Sequence, residues 1–203
     1  MGGSKKIQPY FLKALVAILG LLVVCLGIYI LALPFYPEIK YQFWLKGKIS
    51  DQAAQSLSQA QMLPLAENLD LGNRLIIPEI GVDIPIVDSA NSSWALNRGA
   101  WRLPETSTPE QGSNTAIAGH RFKYLPPNNL TFYLLDKLQA GDGFVVIWSG
   151  KEYDYQVVGS KIVLPTEVSV LAPTEKPTLT LITCDPIFSQ QNRLIVTAEL
   201  VSK

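Results

Sequence analysis

The sequence predicts a mainly β domain, a barrel or sandwich of short strands with short helices, preceded by one transmembrane helix. Three observations carry this. From Arg74 onward the chain breaks into short β-branched and apolar runs, each bounded by turn residues, the pattern of all-β architectures. Ahead of them, Ala14–Leu33 holds 20 residues without a charge. The chain has 203 residues, 48% of them hydrophobic, which suits one domain of ordinary size plus a membrane segment. Formal net charge is zero and there is no basic block, so a nucleic-acid partner is not indicated.

Residues 1–13 form a short tail, expected on the cytoplasmic side. At about 1.5 Å per residue the run 14–33 spans a hydrocarbon core of roughly 30 Å. A cleaved signal peptide has a shorter apolar stretch and a small-x-small cleavage site, and neither is evident. A buried soluble helix has a polar face, and this run has none. An uncleaved anchor is therefore expected. Lys5, Lys6 and Lys13 precede it and Lys40, Lys46 and Lys48 follow, so the positive-inside count is nearly tied. Length decides, because a long C-terminal domain translocates largely regardless of charge. The domain is expected outside the cytoplasm.

Residues 34–73 read as an interfacial segment and stalk. FYPEIKYQFWLKGKIS (35–50) mixes aromatics with lysines, as membrane interfaces do. Asp51–Gly72 is polar and rich in Ala and Gln, a helix or a flexible stalk. The folded domain is expected over 74–203. RLIIP and GVDIPIV form a strand pair, and NTAIAG (Asn114–Gly119) is a further strand. LTFYLLDKL (Leu130–Leu138) has the apolar spacing of a helix. GFVVIW, EYDYQVVGSKIV, TLTLITC and RLIVTAEL are strands. Two loops stand out as long, Trp101–Ser113 and Pro165–Pro177, and such loops are often functional.

Of the two cysteines, Cys25 lies in the span and cannot reach Cys184 in an outside domain. Cys184 is then an unpaired thiol where thiols tend to oxidise. It is either buried and inert, as free cysteine often is, or reactive. His120, the one histidine, sits just past a strand end, after Gly119, and Arg193 opens the last strand. Alternation puts Thr180, Ile182 and Cys184 on one face of their strand, and Arg193, Ile195 and Thr197 on one face of theirs. Eight residues separate Cys184 from Arg193, so neighbouring strands would bring both to the same end. Cysteine with histidine supplies a nucleophile and an acid/base partner, and arginine a fixed cation for a carbonyl or oxyanion. Each alone has a bland reading, as a surface or capping histidine or a solvated arginine. One Cys and one His fall short of a zinc site, so no metal is expected.

Together these residues resemble the sortases, the membrane-anchored cysteine transpeptidases of bacterial surfaces. Leu181-Ile182-Thr183-Cys184 within TLTLITC fits the family's T-L-x-T-C strand end, Arg193 its arginine, and His120 in NTAIAGHR its histidine. The resemblance covers about Arg74–Leu200 plus the anchor. It implies an eight-stranded β-barrel with short helices and a bacterial membrane enzyme, single-pass, with an extracytoplasmic catalytic domain. It also implies attack by the thiolate on the Thr–Gly bond of an LPXTG-like sorting motif of surface proteins. The acyl group then passes to an amine of a cell-wall precursor or a pilin. TCDPIFSQQNRLIV is similar to class E and class D sortases. The Asp-Pro-aromatic lid of pilus-building class C enzymes is absent from Asp51–Arg74, and calcium-binding acidic residues cannot be placed by motif, so no cofactor is expected. Pro165–Pro177 corresponds to the specificity loop.

Ordinary pKa values of about 8.5 for Cys and 6.5 for His leave about 1% of the pair as thiolate and imidazolium, a fraction that Arg193 would raise. The roles are then Cys184 as nucleophile, His120 as acid and then base, and Arg193 for substrate positioning and the oxyanion. Thr183 would hold the strand end beside the nucleophile, although β-propensity explains it equally well. Two competing readings are a hydrolytic cysteine peptidase and a non-enzymatic surface-binding β-module.

Overall fold

The β-runs close into a barrel because each offers one apolar face. In the computed structural model, which describes residues 9–45, 72–123 and 131–202, the strands are β1 (Arg74–Ile77), β2 (Val82–Asp88), β3 (Ala100–Arg102), β4 (Asn114–Ala118), β5 (Gly143–Trp148), β6 (Lys151–Val163), β7 (Thr178–Asp185) and β8 (Asn192–Ser202). They form one closed barrel in the order β1-β2-β3-β4-β7-β8-β6-β5, with β5 returning to β1. Alternate residues point inward, as a period of two requires. Leu75, Ile77, Ile84, Phe144, Val146, Tyr155, Leu179, Leu181, Val196 and Ala198 fill the interior. A closed barrel leaves no strand edge unpaired.

The eight-stranded barrel expected from the resemblance is present, and every run read as a strand is one. The strand not foreseen is β3, which takes the first residues of the expected loop Trp101–Ser113. It pairs parallel to β2. The crossover between them carries a short helix, α3 (Ser92–Leu96), whose N-terminus is capped by Asn91 Oδ1 accepting from the Trp94 amide.

Pro9–Ala32 is one helix, α1, of 24 residues, long and apolar enough to cross a membrane. The chain continues through a 3₁₀ turn (Leu33–Phe35), α2 (Tyr36–Lys40) and a wide turn (Tyr41–Leu45). This segment rests on the barrel. Tyr41 joins the hydrophobic core, Tyr133 Oη donates to the Pro34 carbonyl at 2.9 Å, and Lys137 Nζ lies 2.9 Å from Glu38 Oε1. The stalk expected over 51–72 lies almost wholly outside the described residues.

The helix expected over 130–138 does not form. From Thr131 on, the described part contains only a 3₁₀ turn, Leu135–Lys137. Phe132, Tyr133, Leu134 and Leu135 are consecutive and all buried. A helix would bury only a stripe of them. Wedged between the barrel and the segment that follows α1, this stretch buries all of them in an irregular path.

Three strands position the site. β4 and β7 run parallel, with Ala118 beside Ile182, and β7 runs antiparallel to β8, with Cys184 beside Arg193. The outer face of β4 and β7 is covered at one end by the loop after β6, held there as Asn114 Nδ2 donates to the carbonyls of Val170 and Ala172. At the other end the covering thins, and Ile182 and Cys184 are only half-buried.

Gly119 continues β4 on the inner face, where its own amide donates to the Ile182 carbonyl at 3.0 Å. A Cβ there would meet the Phe132 ring at 2.7 Å, and that ring is fully buried. Gly119→Ala should therefore destabilise the domain by about 1–3 kcal/mol, as overpacking does. A denaturant midpoint equal to that of the wild type would show that the ring can retreat.

Candidate active site

Register alone assembles the three residues singled out in the sequence. Continuing the β4–β7 pairing two residues past Ala118 and Ile182 brings His120 beside Cys184. On the other side of β7, Cys184 is paired directly with Arg193. The three form one row across β7, β8 and the chain just past the end of β4. With strands about 4.8 Å apart, the outer two backbones are separated by about 10 Å. Cys184 and Arg193 share the outer face with Ile182 and Ile195 and with Thr180 and Thr197, as alternation predicts.

His120 and Cys184 line a cleft of about 280 Å³ together with Arg121, Phe122, Ile187, Phe188, Ser189 and Gln190. The short β7–β8 connection thus forms one wall, and the residues after His120 form the other. Phe122 meets Phe188 edge-on across it, with centroids 5.1 Å apart.

Arg193 stands beside Cys184 in register, but its guanidinium leans over the β7–β8 connection. Nη1 donates to the carbonyls of Gln190 at 3.1 Å and Asn192 at 2.9 Å, so Arg193 holds the wall that Gln190 contributes to the cleft. Its Nε and Nη2 make no hydrogen bond among the described residues.

Thr183 points inward and is buried. Its Oγ1 donates to the Gly119 carbonyl at 2.8 Å. It therefore ties the strand end that bears Cys184 to the residue just before His120, which β-propensity alone does not explain. A second tie was not legible in the sequence. The Phe132 amide donates to the His120 carbonyl at 2.8 Å, fixing the backbone of the histidine from the far side.

Burial lowers the His120 pKa below its ordinary value, and the Lys123 charge adds to the effect. The imidazole is therefore neutral at pH 7. As the chain's single histidine, His120 gives one unambiguous pair of imidazole resonances. Their titration midpoint should fall below 6.5, and Lys123→Met should move it upward without restoring the ordinary value, since desolvation is the larger cause. The sign for stability follows. With the folded midpoint below the unfolded one, the unfolded chain binds more protons between them. Stability from this group is therefore lost as pH falls from 6.5 through the folded midpoint. A midpoint at or above 6.5 would contradict the burial of the ring.

A family model described as the sortase domain matches residues 75–201. Similar curated proteins include sortase SrtE1 of Streptomyces coelicolor, 31% identical, the match covering 64% of this chain and 40% of that protein. Sortase A of Bacillus anthracis is 29% identical, with 63% and 59% covered. The chain thus spans less than two thirds of the length of either relative. Among solved structures, the sortase C2 of group B Streptococcus pilus island 1 aligns with a TM-score of 0.58 at 32% identity, covering 70% of this chain and 79% of that one.

Proposed function

The chain belongs to the sortase family, and we propose that its barrel is a membrane-anchored cysteine transpeptidase acting on surface proteins that carry an LPXTG-like sorting signal. The observation that carries this reading is that His120, just past the end of β4, and Cys184 of β7 line one cleft, with Arg193 of β8 paired to Cys184 beside it.

The Cys184 thiolate attacks the Thr–Gly carbonyl, and the charge moves to the carbonyl oxygen, where Arg193 Nε and Nη2 are the available donors. Imidazolium His120 gives its proton to the departing glycine nitrogen as the C–N bond breaks. This leaves a thioester on Cys184 and a neutral imidazole. An amine of a cell-wall precursor or a pilin then attacks the thioester. His120 takes its proton, and the thiolate leaves as the new amide forms. Thr183 holds the two strand ends at a fixed offset throughout. No step calls on a cofactor or a metal ion.

The test uses the full chain in detergent micelles with a library of labelled sorting peptides, with and without an oligoglycine or hydroxylamine acceptor. Capture of the acyl group by the amine is the expected result. Release to water alone would make the protein a hydrolytic peptidase, and no cleavage of any peptide would favour a binding module.

We place the barrel outside the cytoplasm, with residues 1–13 inside, because α1 suits a single-pass anchor and the family works at cell surfaces. In a Cys25→Ala background, a thiol reagent that cannot cross membranes should label Cys184 in intact, wall-stripped cells. Labelling only after lysis would reverse the orientation.

A further inference from the structure

One buried cation beside the cleft has no part in the steps above. Arg121 directly follows His120, and only 3% of its side chain is exposed. Its Nη2 lies 2.7 Å from Asp136 Oδ1. Its Nη1 lies 3.8 Å from Oδ1 of Asp185, the residue that directly follows Cys184. Asp136 is braced in turn by Lys137 at 3.2 Å, which reaches Glu38 of the membrane-proximal helix. Arg121 is therefore anchored on one side and spans the gap between the two strand ends that carry the reacting groups.

Two features set it apart from an ordinary buried ion pair. Arg121 Nε and Nη1 are buried without a hydrogen-bond partner, and leaving guanidinium donors unfilled away from water is unfavourable. The residue also lines the cleft beside His120 and Cys184, while its guanidinium faces two carboxylates. A cation meant to stabilise the thiolate directly would not be held between Asp136 and Asp185.

We propose that Arg121 is a positioning residue for the reaction. It bridges Asp136 and Asp185 and so holds His120 and Cys184 at the spacing that proton transfer between them requires. This rests on the transpeptidase reading given above. Its chemistry separates it from an electrostatic role. If Arg121 acted through its charge on the thiolate, removing the neighbouring carboxylate of Asp185 would make Cys184 more reactive and speed the enzyme. If it positions, removing that carboxylate releases the Cys184 end and slows the enzyme.

The experiment compares wild type, Asp185→Asn and Arg121→Lys as full chains in micelles. It measures kcat and KM for acyl-enzyme formation and, separately, the pH dependence of Cys184 alkylation by iodoacetamide, which needs no help from His120. Asn is nearly isosteric and Asp185 is partly exposed, so this variant keeps the inference testable even if Arg121→Lys fails to fold. Asp185→Asn should lower kcat by about ten- to hundredfold, the usual penalty for slight misplacement of reacting groups, with KM unchanged and alkylation no slower. Arg121→Lys, when folded, should share the loss, because one ammonium cannot span two carboxylates as the fork does. An unchanged or raised kcat in Asp185→Asn overturns the positioning role, as does a loss matched by equally slowed alkylation. A wild-type chain that forms no acyl-enzyme overturns the transpeptidase reading, and this inference with it.

Discussion

Replacing Cys184 by alanine should abolish acyl-enzyme formation and leave the barrel folded. The two halves of this result have separate physical grounds. Cys184 lies on the outer face of β7, half-buried, and is not among the residues that fill the barrel interior. Removing its sulfur opens no core cavity, and such substitutions usually change stability by less than about 0.5 kcal/mol. Chemically the loss is complete, because no other group on the described cleft wall can form a thioester. His120 and Arg193 have nothing to assist, and a knocked-out nucleophile in a cooperating set typically removes about six decades of rate. Cys184→Ser should fare little better, since an alcohol does not ionise near neutral pH and the lowered His120 pKa makes that imidazole a weak base. The measurements are intact mass after incubation with a labelled sorting peptide and thermal unfolding of both variants. An alanine variant that still gains the acyl mass would return Cys184 to a structural role. Cys25→Ala should leave turnover unchanged, as that residue lies in α1.

The strands were legible because a barrel wall is read twice, once by its alternation and once by the turns that bound it. β1, β2 and β5 each bury every second residue, and that period is visible in RLII or GFVVIW without any structure. The pairing of Cys184 with Arg193 was legible for the same reason. Parity put Cys184 and Arg193 on one face, and the brevity of their connection implied neighbouring strands. β3 was not legible. Ala100–Arg102 is three residues long, too short to show a period, and its parallel pairing with β2 is a long-range choice. The 131–138 stretch failed differently. Its apolar spacing fits a helix, but its neighbours demand burial on every side, and tertiary packing overrides local propensity. That same packing supplies the His120 backbone contact from Phe132, so the missed element is also a missed part of the site. Nothing in the sequence pattern singles out Arg121. Only the fold shows that Asp136 and Asp185 close around it.

Arg193→Lys should cost far more activity than a charge-conserving exchange suggests. Register places Arg193 opposite Cys184, and in the proposed mechanism its guanidinium has two tasks at once. Nη1 holds the carbonyls of Gln190 and Asn192, while Nε and Nη2 are left for the substrate carbonyl. A lysine ammonium is a point charge on a flexible stem and cannot serve both in fixed directions. It either releases the β7–β8 wall or abandons the oxyanion. Loss of one oxyanion donor is worth about 10²–10³ in rate, or roughly 3–4 kcal/mol. Thiolate stabilisation, by contrast, depends on charge and distance and should largely survive. The two roles therefore separate in one experiment that compares wild type, Arg193→Lys and Arg193→Ala. kcat/KM for acyl-enzyme formation should fall by two or more decades in both variants, while the pH midpoint of Cys184 alkylation hardly moves in the lysine variant. Near-wild-type catalysis with lysine would reduce Arg193 to an electrostatic neighbour of the thiol. Near-wild-type catalysis with alanine as well would make it an ordinary strand residue, and the row would then carry the reaction with His120 and Cys184 alone.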